Sequence, residues 1–208
     1  MTARTHRTFF ARPRTGALAA LALATVVVLT GCAPDDGSPE ASGTPTPSAT
    51  PTTSAPSFTG PAAETEEAAI AAATAALDEF VKVENEIFAE GGANPERIDA
   101  IGVSPASQEV YASAEAIASQ ELVVTGGIVT TVISAYASEL TAGTEVLPYG
   151  TAVLSICNDG SQRTITMPDG SAARQPDMLV FTLDAEVRYD TELSAWKVRS
   201  FSGGGEPC

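Results

Sequence analysis

Apolar residues return at three- and four-residue intervals through 61–90. Ile70, Ala73, Leu77, Phe80, Val81, Ile87 and Phe88 share one face of a predicted helix. Pro61 suits a first helical position, and Glu64, Glu66 and Glu67 suit the positive end of the helix dipole. Gly91-Gly92 stops this helix. Asn94-Pro95 opens a short second helix to Ile101, with Asn94 as its cap. Ser104-Pro105 opens a third to about Val124, with Val110, Tyr111, Ala114, Ile117, Ala118 and Leu122 facing inward and Gly126-Gly127 as its end.

Beyond Gly127 the period changes to two. Segments 128–140 and 146–157 read as strands. Asn158-Asp159-Gly160 and Pro168-Asp169-Gly170 are turns that bracket a short stretch at 163–167. The pattern is clearest over 178–189. Leu179, Phe181, Leu183, Ala185, Val187 and Tyr189 share one face there; Thr182, Asp184, Glu186 and Arg188 share the other. A last strand at 195–201 sets Trp196 and Val198 against Lys197 and Arg199. The polar loop 190–194 predicts a hairpin, whose outer face is able to pair Asp184 and Glu186 with Lys197 and Arg199. Helices followed by strands predict an α+β domain with its helices on one face of an antiparallel sheet.

The long first helix, Ile156-Cys157-Asn158-Asp159, Trp196-Lys197-Val198 and the terminal Glu206-Pro207-Cys208 together resemble the nuclear-transport-factor-2-like superfamily. The resemblance is greatest to small actinobacterial lipoproteins of that fold. It implies three N-terminal helices packed on a curved antiparallel sheet of about four strands, enclosing a cone-like cavity. Phe80, Tyr111, Tyr136, Phe181 and Trp196 are the candidate pocket residues. Trp196 also reads as a core residue, because Val198 shares its face.

The first 60 residues have a different character. Arg4, Arg7, Arg12 and Arg14 precede an uncharged apolar run that ends at Leu29-Thr30-Gly31-Cys32. A positive region, a short apolar region and small residues before a cut site describe an export signal at 1–31. The run is shorter than the roughly 20 residues that span a bilayer. Leu-Thr-Gly-Cys resembles the lipobox of bacterial lipoproteins. The resemblance implies lipid on the Cys32 thiol and cleavage before it, so that Cys32 anchors the protein to the membrane at its extracytoplasmic face. Two or three acyl chains hold such an anchor in place. Of the 24 residues at 37–60, 16 are Ser, Thr or Pro, and Phe58 is the only large apolar one. This predicts a disordered tether over 32–60 and a folded domain over 61–208.

Export changes the charge and the available chemistry. Removing the four arginines leaves seven basic residues against 26 acidic ones, a net charge of −19. Such a surface excludes nucleic acid as a partner. It reads as solubility outside the cell, with weak cation association as the alternative. With Cys32 assigned to lipid, Cys157 and Cys208 form an even pair in an oxidising compartment and predict a disulfide. Its loop removes denatured-state entropy equivalent to about 4 kcal/mol.

The single histidine, His6, leaves with the signal, which excludes histidine-based nucleophilic triads and histidine-ligated zinc or iron in the mature chain. No phosphate loop or dinucleotide fingerprint is present, and no cofactor is expected. Asp78, Tyr111 and Tyr136 are candidates for acid–base work, but Asp78 reads as solvated and the tyrosines as core residues. Asp159 and Asp169 lack the carboxylate spacing of an EF-hand and read as turn formers. The expectation is a non-catalytic binding or structural module of the cell envelope, presented to an envelope protein or a small apolar ligand. The alternative is an acid–base enzyme resembling polyketide cyclases or ketosteroid isomerases, with a carboxylate and a tyrosine in the cone.

Overall fold

Thr65 opens the first helix, α1 (Glu66–Ala89), by accepting a 3.2 Å hydrogen bond from the Ala68 amide. The structure, a computed structural model, describes residues 58–208. The signal at 1–31, Cys32 and the tether up to residue 57 lie outside the described residues. The helix begins at Glu66 rather than at Pro61, because Thr65 carries the oxygen that a first-turn amide needs and Pro61 does not. It ends as expected: Gly92 donates to the Ile87 carbonyl at 2.9 Å and Gly91 to that of Phe88 at 3.1 Å. Gly91 takes φ +73°, a conformation that suits glycine.

A short 3₁₀ helix, Pro95–Ala100, follows. Asn94 precedes it without a capping side-chain bond; its contribution is a left-handed backbone at φ 50°. Helix α2 (Ala106–Ser119) is shorter than expected. Its last carbonyls are taken by the Leu122 amide, bonded to Ile117 at 3.0 Å, and the Glu121 amide, bonded to Ala118 at 3.3 Å, with Glu121 at φ 50°. The stop is therefore a strained glutamate rather than Gly126-Gly127. Those glycines serve close approach instead. A Cβ on Gly126 would collide with the Gln162 carbonyl oxygen, and one on Gly127 would lie 2.8 Å from the Asn85 side chain.

Two antiparallel sheets follow. Strand β1 (Val123–Thr125) pairs with β4 (Thr164–Thr166). Strands β2 (Val129–Ala142), β3 (Glu145–Asp159), β5 (Val180–Asp190) and β6 (Ala195–Ser202) form the main sheet in the order β2-β3-β5-β6. The fold is α+β with helices packed on an antiparallel sheet, as expected. Strand β4 falls within the short stretch 163–167 read above between two turns, whereas β1 lies where the third helix was expected to end.

Alternation drives the packing. Ala152, Leu154 and Ile156 of β3, Ala185 and Val187 of β5 and Val198 of β6 are buried under α1. They meet Ala69, Ala73, Ala76, Leu77 and Phe80. Small side chains at three of these α1 positions let the helix lie close to the sheet.

The outer edge of β6 is covered by two segments. Trp196 donates to the Phe58 carbonyl at 2.8 Å, and Gly60 to that of Ser194 at 2.9 Å. Val198 donates to Ile101, and Val103 donates back to Val198, both at 2.9 Å. Residues 58–60, read above as the end of the tether, thus pair with the sheet, and Phe58 packs against the core. Among the described residues no helix is long and apolar enough to cross a membrane.

The β5–β6 register slips by one residue between Glu186 and Val187. The slip leaves Arg199 without a Cα partner, and its side chain reaches Glu186 at 3.4 Å; on the hairpin side of the slip Lys197 stands opposite Arg188 rather than a carboxylate. The tail returns across the sheet. Thr182 donates its amide to the Glu206 carbonyl at 2.9 Å, and Cys208 is bonded to Cys157 with their Cα atoms 5.7 Å apart.

Candidate functional site

Between α1 and one end of the main sheet lies a pocket of about 310 Å³. Val81, Ile128, Leu183 and Phe201 make its apolar walls. Phe201 is held from behind by Phe80, with ring centroids 5.7 Å apart. Thr130 and Asn158, opposite each other on β2 and β3, add polar edges. Asn85 anchors the start of β2 to α1: its side chain donates to the Ile128 carbonyl and accepts from the Ile128 amide, both at 2.9 Å. This size, with mostly apolar walls and a few polar groups, is typical of small-molecule sites.

Glu84 is the charged group of this pocket. It is partly buried, and it has no hydrogen-bond or ion-pair partner among the described residues. Burial pushes its carboxyl from the ordinary 4.5 up to about 7; Arg163 opposes the shift and Glu109 adds to it. Glu109 stands exposed on the rim, contributed by α2. The site thus holds a carboxyl that exchanges its proton near neutrality, beside apolar walls and a second carboxylate. It suits a small apolar body that carries an ammonium or another hydrogen-bond donor.

The candidate residues from the sequence are not gathered around this pocket. Phe80 and Trp196 are core residues, 1% and 2% exposed. Trp196 packs edge-on against Tyr189. Tyr111 donates its hydroxyl to Asp99 at 2.7 Å, and that bond holds its proton above the ordinary tyrosine range. Tyr136 is exposed on β2, and Phe181 is half-buried on β5. Asp78 is exposed.

Asp159 and Asp169 act as turn formers. Their carboxylates accept the Ser161 and Ser171 amides at 2.8 and 2.9 Å, and the hydroxyls of these serines, followed by the amides, hold both below the usual carboxylate range. Among the described residues, no three His, Cys, Asp or Glu side chains converge as metal ligands do.

Glu84 was absent from the sequence candidates, yet its signal is visible. It lies four residues from Phe80 and from Phe88, and three from Val81 and from Ile87, so it sits within the apolar stripe of α1.

No family model and no curated protein matches the chain. Among solved structures it is similar to the intermembrane-space region of the chloroplast protein ARC6. The identity is 14% and the TM-score 0.41, over 61% of this chain and 89% of that one.

Proposed function

We propose that residues 58–208 form a nuclear-transport-factor-2-like cone that binds a small apolar ligand bearing an ammonium or another donor. Lipid on Cys32 holds it at the extracytoplasmic face of the cell membrane, and it performs no chemistry there. The observation that carries this reading is Glu84, a carboxyl without a partner among the described residues, in an apolar pocket of about 310 Å³. A ligand donor supplies the partner that the fold withholds. The packing of the helices on the sheet supports the cone. The Leu-Thr-Gly-Cys motif and the charge of the exported chain support the address.

One observation favours the acid–base alternative: Glu84 changes protonation near neutral pH, as a general base does. That reading also calls for a tyrosine beside the carboxylate. The tyrosine nearest to fitting the role on α2, Tyr111, spends its hydroxyl on Asp99.

Two experiments test the proposal. In ligand-observed NMR, benzylammonium binds the full chain in detergent and benzoate does not; Glu84→Gln removes that preference, and Leu183→Trp fills the pocket and removes binding. Equal binding of both probes, unchanged in Glu84→Gln, contradicts the ligand class. Cys32→Ala releases the protein from membranes; retention in the membrane fraction contradicts the anchor.

A further inference from the structure

The described residues include seven basic side chains, and three of them, Arg188, Lys197 and Arg199, line a single pocket of about 310 Å³. By strand alternation Arg188 lies on the face of β5 opposite to buried Ala185 and Val187, so this pocket is separate from that of Glu84. Lys197 is 5% exposed. Its ammonium donates to the Asp99 carbonyl oxygen at 2.8 Å, and no carboxylate among the described residues lies within ion-pair distance. Two of its three donors have no partner among the described residues.

The neighbouring acids leave Lys197 unpaired, although Glu186 pairs with both arginines and Asp190 and Glu192 line the same pocket. The Asp99 carboxylate accepts the Tyr111 hydroxyl. Glu186 Oε1 lies 2.6 Å from Arg188 Nε and 3.4 Å from Arg199 Nε. Asp190 accepts the Glu192 and Leu193 amides at 2.9 and 3.0 Å, and Glu192 is exposed at the mouth. The strand register sets Arg188 directly across from Lys197. Like charges directly opposite each other destabilise a sheet, and a buried ammonium without a counter-charge adds a desolvation cost. Val103 and Leu140 supply apolar walls that strengthen any charge interaction inside.

We propose that this pocket is an anion site, in which Lys197, Arg188 and Arg199 hold an oxyanion group of a ligand, a carboxylate or a phosphate. Lys197 supplies the buried point charge. The two guanidinium groups, half-buried and each held at its Nε side by Glu186, supply their remaining planar donors to an oxyanion.

The test is thermal unfolding of the full chain in detergent, titrated with inorganic phosphate or with acetate, at an ionic strength held constant with chloride. The expected result is a saturable rise in Tm with at least one of the two. Saturation by phosphate alone identifies a phosphate site, by acetate alone a carboxylate site, and by both a site that takes either. Lys197→Met and Arg199→Gln each weaken the midpoint about tenfold, the loss expected from one charge-assisted hydrogen bond. Arg199→Gln alters a half-buried side chain outside the core and carries the test if Lys197→Met does not fold. Lys82→Met, on an exposed lysine of α1, leaves the midpoint unchanged. No saturable rise with either anion, or the same midpoint in all three variants, overturns the proposal.

Discussion

Glu84 and Lys197 are charged side chains drawn under the surface on opposite faces of one sheet, and their surroundings differ for a structural reason. Glu84 projects from α1 past its first turn, where the helix spends its own amides internally and offers no donor. Its carboxyl answers burial by holding its proton up to about pH 7. Lys197 reaches the Asp99 carbonyl near the end of the 3₁₀ helix, where carbonyls lack helical partners. Among the described residues, one group lacks any hydrogen-bond partner and the other has a single partner of three possible. The comparison teaches that secondary-structure ends, more than bulk burial, decide which charges a small domain can hold.

Phe80→Ala should have the largest effect, about 3–5 kcal/mol of lost stability, because Phe80 is a fully buried core ring and backs Phe201. It opens the Glu84 pocket from behind while leaving the anion response of Lys197 in place. Chemical denaturation and the phosphate or acetate titration separate the two effects. Replacing Cys157 and Cys208 by serine should cost about 2–4 kcal/mol and loosen the tail between Ser202 and Cys208. Amide exchange should then rise at Thr182, whose partner Glu206 lies on that tail.

Glu84→Gln sharpens the comparison through pH. The folded carboxyl is raised above its ordinary 4.5, so its favourable contribution is complete below about pH 4.5 and is lost as pH rises through about 7. The variant should therefore gain stability over wild type across that window, by about 1 kcal/mol at pH 8 for a partly solvated group. Melting curves at pH 4.5 and pH 8 check it; an equal difference at both would break the account. Lys82→Ala should leave the melting curve unchanged, since its 3.0 Å pair with Glu79 is exposed and screened by solvent. Limited proteolysis should cut upstream of Phe58, which is tied to β6.

The helices and long strands were legible because their apolar periods are strong: Leu77, Phe80 and Val81 on α1, and Ala185, Val187 and Tyr189 on β5, are buried as the spacing implies. The disulfide was legible from cysteine parity. Less legible was anything decided by one residue's backbone, such as the stop of α2 at Glu121, which no glycine announces. Strands β1 and β4 are too short for a period to register. The pocket was missed because attention fell on aromatic residues, which went into the core, while the informative residue was an acid inside an apolar stripe. The burial of Lys197 depends on Asp99, far away in the chain, which alternation along β6 does not reveal.

The account rests most on Glu84 as the charged anchor of a ligand pocket. Its carboxyl titration, followed by carbon-detected NMR in the full chain with and without benzylammonium, tests this directly. The predicted result is a midpoint near pH 7 in the free protein that falls when benzylammonium is bound, because a cation favours the carboxylate. A midpoint in the ordinary carboxylate range, unmoved by the amine, would contradict it.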